Sequence, residues 1–231
     1  MELTLAGIAS GPNPWKVVMI LEELGVPYEE IFPDPSTIKQ EPYTSLNPNG
    51  RIPTIQDPNT GITLWESGAI IEYLVDTYDK EKKLSFDTSP EKYHVKQFLI
   101  FQVSGQGPYY GQLVFFQYFH PEKVKSAIQR YEEQTLRVIS VLDKCLEGKE
   151  YLVGGKCRSV FGWQNMNLIV CYLSTYADIS FIAWETVAQA VVPEFGQKTK
   201  QYANYHAWLQ RLMARPAIAK TLERKAAMAA H

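Results

Sequence analysis

The sequence predicts a fold in two parts: a small α/β domain over residues 1–80 and an all-α domain over residues 91–231, joined by a linker over 81–90. Three observations carry this. The first eighty residues alternate strand-like and helix-like patterns in the order βαβ then ββα, which suggests a mixed sheet. The connector "KEKKLSFDTSPEK" is charged and polar. Beyond it no clear strand pattern appears, and one apolar stripe dominates. Val124, Ile128, Tyr131, Thr135, Val138, Leu142 and Cys145 alternate steps of four and three along one long helix.

Each element has its own signal. "ELTLAG" is a short strand. "NPWKVVMILEELG" sets Val17, Ile20, Leu21 and Leu24 at helical spacing, with Asn13 placed to cap, Pro14 at the first helical position and Gly25 to stop it. "YEEIFPD" reads as a second strand, with Tyr28 and Phe32 around Ile31 and one slip in phase. "RIPTIQD" and "GITLWES" are two strands separated by the turn "DPNTG", and "SGAIIEYLVDTYD" is a helix with Ser67 at its start. In the second part "GQGPYYGQLVFFQYF" holds a kink signal, Gly107-Pro108, inside a helical stretch. Cys145, on the long stripe, reads as a buried small hydrophobe. "YHAWLQRLMARPAIAKTLERKAA" continues the helical patterning to the end.

Bulk composition narrows the function. With 23 basic and 25 acidic residues the net charge is −2, so nothing electrostatic favours nucleic acid or an anionic membrane. The apolar runs are too short to span a bilayer, and "MELTLAGIAS" lacks the pattern of a secretory signal. The three Cys and four His lack disulfide-framework or metal-ligand spacing. A cytoplasmic protein without a metal site is the expectation.

"NPNGRIPTI", then "LWESGAIIEYL", on an α/β domain followed by helices, resembles the cytosolic glutathione transferases. "GPNPWKV", "FQVSGQGP", "AIQRY", "YADIS" and "MARPA" extend the resemblance over nearly the whole chain. They bring it closer to the fungal branch related to the yeast nitrogen regulator and the bacterial nu class. The resemblance implies a thioredoxin-like first domain, an all-helical second domain of the transferase type and a homodimer. It implies glutathione as co-substrate, with no other cofactor.

The physics of the motif residues agrees with those roles. An extended tripeptide is well held by main-chain bonds at a sheet edge. The resemblance assigns that edge to Arg51-Ile52-Pro53, with Ile52 offering its N–H and C=O and Pro53 in a cis bond. The same residues otherwise read as a trans-Pro opening an edge strand. Glu66 and Ser67 match the pair that grips the γ-glutamyl end: Glu66 for the ammonium, Ser67 and its helix N-terminus for the carboxylate. Taken alone they are an N-cap with an acidic neighbour. Glutathione brings its own thiol, so the protein needs no nucleophile. Asn13, at a helix start, offers a neutral side-chain N–H to stabilise a thiolate, and otherwise serves as a cap. The nu-class pattern has Thr two residues before the Asn; here Gly11 stands there, with the adjacent Ser10 or the Gly11 N–H as the compensating donor. Tyr-type and Cys-type chemistry is disfavoured, since the first Tyr is Tyr28 and the first Cys is Cys145.

Further candidates are less specific. Arg130 matches a position facing the glutathione site in relatives, or is a solvated surface residue. Lys39 and Arg51 are candidates for the glycine carboxylate. Tyr109 and Trp15 are candidate walls for a second, electrophilic substrate, or core and dimer contacts. One stretch, residues 158–174, interrupts the pattern: removing it restores "GGKCTYADIS". It reads as a retained intron translated in frame, or a recent insertion that must pack as an extra helix or strand or else lower the second domain's stability. The leading function is transfer of glutathione sulfur to small apolar electrophiles, in detoxification or secondary metabolism. The alternatives are glutathione-dependent disulfide or peroxide reduction, and a non-enzymatic regulator.

Overall fold

β1 (Leu3–Ala6) turns Leu3 and Leu5 into the core, since alternate side chains of a strand share a face. α1 (Pro12–Leu24) stops at Gly25, whose φ of 65° is left-handed, and returns the chain to β2 (Tyr28–Ile31), parallel to β1 with Leu3 opposite Tyr28. A single turn, α2 (Tyr43–Leu46), leads to the antiparallel pair β3 (Thr54–Asp57) and β4 (Ile62–Trp65), followed by α3 (Ser67–Tyr78). The sheet order is β2-β1-β3-β4, mixed as the element order suggested. The computed structural model describes residues 1–7, 11–154, 158–161, 167–170 and 174–229.

α4 (Glu91–Phe101) runs through a π-helical turn, Gln102–Gln106, into α5 (Gly107–Val114); a second π turn, Phe115–Phe119, precedes α6 (Lys125–Cys145). The wide first turn lies directly before Gly107-Pro108, where a proline removes one backbone donor from the helical ladder. α6 buries Thr135, Val138, Ile139 and Leu142, and leaves Cys145 half-buried against the core.

The second part is not wholly helical. β5 (Arg158–Phe161) and β6 (Asn167–Val170) pair as a separate antiparallel ribbon, with Arg158 opposite Val170. Both strands fall inside the stretch expected to be inserted. α7 (Tyr176–Val191), α8 (Phe195–Lys198), α9 (Ala203–Met213) and α10 (Pro216–Ala229) complete the fold.

The chain leaves for the ribbon and returns from it beside one buried carboxylate. Asp178 accepts from Leu152 N–H at 2.9 Å before the ribbon, and from Thr175 N–H and Oγ1, both at 2.8 Å, after it. Gly154 has φ 79°, and a Cβ there would lie 2.6 Å from the Phe86 ring. Asp178 thus ties together the two segments that flank the ribbon. Deleting residues 158–174 is expected to preserve the helical circular dichroism and a single cooperative unfolding transition. A non-cooperative, weakly structured deletion protein would show that the ribbon carries core packing.

α1 is buried from Pro14 through Leu21, not on one face only, because α3 of the first part and α7 and α10 of the second part all lie against it. Two arginines reinforce the junction. Arg215 forks onto Glu23 at 2.7 and 2.6 Å, and Arg224 reaches Glu30 at 2.8 Å and the Tyr28 hydroxyl at 3.1 Å. Among the described residues no helix is long and apolar enough to cross a membrane.

Candidate functional site

β3's pairing ends at Thr54, opposite Ala6 on one side and Trp65 on the other, so residues 51–53 project past both neighbours. The Arg51 carbonyl is fixed by the Tyr43 hydroxyl at 2.8 Å and Asn47 Nδ2 at 2.6 Å. Those two groups also meet Thr54 Oγ1, at 2.8 and 3.0 Å. The Ile52–Pro53 bond that follows is cis. Among the described residues, no backbone–backbone hydrogen bond engages Ile52.

α3 begins where β4 ends. Ser67 was expected to cap this helix; instead Glu66 occupies the cap position and Ser67 is the first helical residue, without a side-chain cap bond. Glu66 has φ 72°, uncommon for a residue with a side chain, and this sharp turn takes the chain from strand straight into helix. Asn49 Nδ2 donates to Glu66 Oε1 at 3.4 Å.

The start of α1 also differs from expectation. Gly11 is the cap, Pro12 the first helical residue, and Asn13 lies inside the first turn. The first four N–H groups of a helix have no internal partner, so both Pro12 and Pro14 fit there and the helix starts earlier than Asn13. Because neither proline has an N–H, this helix end offers fewer backbone donors than an ordinary one. Asn13 Oδ1 instead accepts a hydrogen bond from Trp184 Nε1 of α7 at 3.0 Å. Ser10 lies outside the described residues.

These three corners meet. Asn13, Arg51, Ile52, Pro53, Glu66 and Ser67 line one cleft of about 370 Å³, joined by Asn47 and Asn49. Lys39 is exposed beside Gly50, and Arg130 is exposed on α6; neither is among the described residues lining this cleft. Trp15 is 2% exposed with the Arg224 guanidinium 5.2 Å over its ring, so it belongs to the core and does not wall an open site. Tyr109 is half-buried, with the Arg137 guanidinium 5.7 Å from its ring. Sequence reasoning gave no individual role to Asn47 and Asn49, although both sit in the quoted "NPNG". It missed Trp184, which lies too far along the chain from Asn13 for any local pattern to show.

Behind the cleft runs a buried polar chain. Lys16 Nζ donates to Gln102 Oε1 at 2.7 Å, Gln102 Nε2 to Gln106 Oε1 at 2.8 Å, and Gln106 Nε2 to Glu185 Oε1 at 2.7 Å. Tyr110 and Tyr205 also donate to Glu185, at 3.1 and 2.7 Å. Burial lowers the Lys16 ammonium to about 7, with the Glu66 charge opposing. Burial raises Glu185 to about 7, against its three hydrogen bonds.

A mixed four-stranded sheet with a cis-proline before its third strand and a polar cleft there is of thioredoxin-like type, and a mostly helical part follows it. The family described as "Glutathione S-transferase, N-terminal domain" matches residues 1–76. The chain is 43% identical to "Glutathione S-transferase-like protein tpcF" of Aspergillus fumigatus, over 91% of this chain and 90% of that one. The solved glutathione transferase URE2P6 of Phanerochaete chrysosporium, in complex with oxidized glutathione, is 43% identical with a TM-score of 0.87, covering 98% of this chain and 97% of that one. Ure2p5 of the same organism, cocrystallized with 1-(S-glutathionyl)-2,4-dinitrobenzene, is 36% identical with a TM-score of 0.84, covering 100% and 97%. The chain belongs to the glutathione S-transferase family and is similar to its Ure2p-like members.

Proposed function

We propose that this chain is a cytoplasmic, homodimeric transferase that joins the sulfur of glutathione to small apolar electrophiles. One observation carries the reading: Asn13, Ile52–Pro53 and Glu66–Ser67, distant in sequence, line a single cleft. Ile52 pairs with the cysteinyl backbone, Glu66 with the γ-glutamyl ammonium, the start of α3 with its carboxylate, and Arg51 with the glycine carboxylate. A free thiol titrates at about 8.5. Lowering it by about two pH units takes roughly 2.7 kcal/mol. Since Pro12 and Pro14 withhold backbone donors, much of that stabilisation falls to the Asn13 amide. The thiolate then attacks the electrophile's carbon, and the leaving group departs with the bonding pair. The aryl thioether held by Ure2p5 supports this chemistry. Tyr93 and Ile100, 59% and 57% exposed and two turns apart on α4, support docking of a second copy.

A second reading, disulfide reduction, is favoured by the oxidized glutathione bound to URE2P6. Gly11 in place of Thr argues against strong activity of that kind.

Calorimetry is expected to show glutathione uptake by the folded protein, and turnover of a chloronitroaromatic is expected to exceed that of hydroxyethyl disulfide. Asn13→Ala is expected to raise the bound thiol's pKa by about one unit, read from thiolate absorbance. Folded protein that takes up no glutathione would sink the proposal, and binding without any turnover would leave the regulator.

A further inference from the structure

Trp184 belongs to the second part of the chain, yet its indole N–H lies 3.0 Å from Asn13 Oδ1. An indole nitrogen can only donate. The amide atom facing it is therefore the oxygen, and the amide end left for other contacts is Nδ2. We propose that Trp184 is a positioning residue for sulfur activation. By holding Oδ1, it keeps the Asn13 amide turned so that N–H, and not a carbonyl lone pair, meets the glutathione sulfur. A flipped amide would set donor against donor at the indole and oxygen against thiolate at the cleft, so both contacts oppose the flip. This rests on the role proposed for Asn13.

The indole has a fitted bed. Trp184 is 8% exposed and lies across Gly107 and Gly111, one turn apart on α5. A Cβ at Gly107 would stand 3.5 Å from Nε1, and one at Gly111 would stand 3.3 Å from Cη2, tighter than ordinary contact. The two glycines of "GPYYG" thereby set the height at which the indole crosses α5 and reaches α1.

The test compares wild type, Asn13→Ala, Trp184→Phe and the double variant, reading the thiol pKa of bound glutathione by absorbance and glutathione affinity by calorimetry. Phe keeps an aromatic ring and removes the N–H. Trp184→Phe is expected to raise the thiol pKa by about half a unit to one unit, a roughly two- to fivefold loss of thiolate at pH 6.5. Glutathione affinity is expected to stay within about twofold, and the double variant to rise no further than Asn13→Ala alone. A lone Asn13→Ala effect, with Trp184→Phe unchanged, would reduce Trp184 to packing while leaving Asn13 its role. An unchanged Asn13→Ala removes both. Should Trp184→Phe not fold, Gly111→Ala, which pushes the indole without touching the cleft, is expected to raise the pKa in the same direction; an unmoved pKa there overturns the proposal.

Discussion

Replacing Asp178 with Ala is expected to cost about 4 kcal/mol of stability, a large part of the ~5–15 kcal/mol that holds a typical domain. Asp178 is fully buried, and four donors converge on it: Leu152 N–H, Thr175 N–H, Thr175 Oγ1 and, at 2.8 Å, Trp208 Nε1. Burial pushes its carboxyl above the ordinary range, and the four bonds pull it back only in part. Alanine removes every acceptor at once and strands buried donors on three segments, each costing about 1–3 kcal/mol. Loss of the capping box at the start of α7 adds about 1 kcal/mol. Asp178→Asn keeps one acceptor oxygen but turns an N–H toward donors, so it is expected to fall between wild type and Ala. Urea unfolding monitored by tryptophan fluorescence reads the difference. A loss under about 1 kcal/mol for Ala would mean that water replaces the carboxylate and that the junction is not closed there.

How much of this was legible depended on the range of each contact. In the first part the order of the four strands and the two long helices, the stop at Gly25 and the turn into β4 all follow from neighbouring residues, and the structure has them. The cleft residues were legible as types in motifs, although their convergence is a property of the fold. Cap positions failed at both α1 and α3 for local reasons. Two prolines fit one first turn, and a positive φ at Glu66 displaced the cap from Ser67. Trp15 looked like a pocket wall because an aromatic at a helix start gives no sign of what will cover it; α10 supplies Arg224 from the far end of the chain. Trp184 and the Lys16–Glu185 chain join segments remote in sequence. Each of those residues has an ordinary local context, so no pattern of spacing announces the pair.

That buried chain gives the second large expectation, a stability contribution at its lowest near pH 7. Glu185 titrates at 4.5 when unfolded and about 7 when folded. Its raised folded value means that its favourable contribution is complete below pH 4.5 and lost as pH rises through 7, roughly 3 kcal/mol in all. Lys16 moves oppositely, from 10.5 to about 7. Its lowered folded value means that its contribution is complete above pH 10.5 and lost as pH falls through 7, roughly 5 kcal/mol. Between the limbs both groups carry their full burial cost. Gln102 and Gln106 link them without neutralising them, because amides pass hydrogen bonds and no net charge. Urea unfolding of wild type, Glu185→Gln and Lys16→Met across pH 5 to 9.5 separates the two. Wild type minus Glu185→Gln is expected to fall from pH 5 to 7 and then level. Wild type minus Lys16→Met is expected to stay level up to pH 7 and rise beyond it. Met leaves Gln102 Oε1 without its donor, which offsets the whole curve by about 1–3 kcal/mol but cannot give it a slope. Differences flat on both sides of pH 7 would mean that water reaches these groups, and that the domain junction is wetter than its packing indicates.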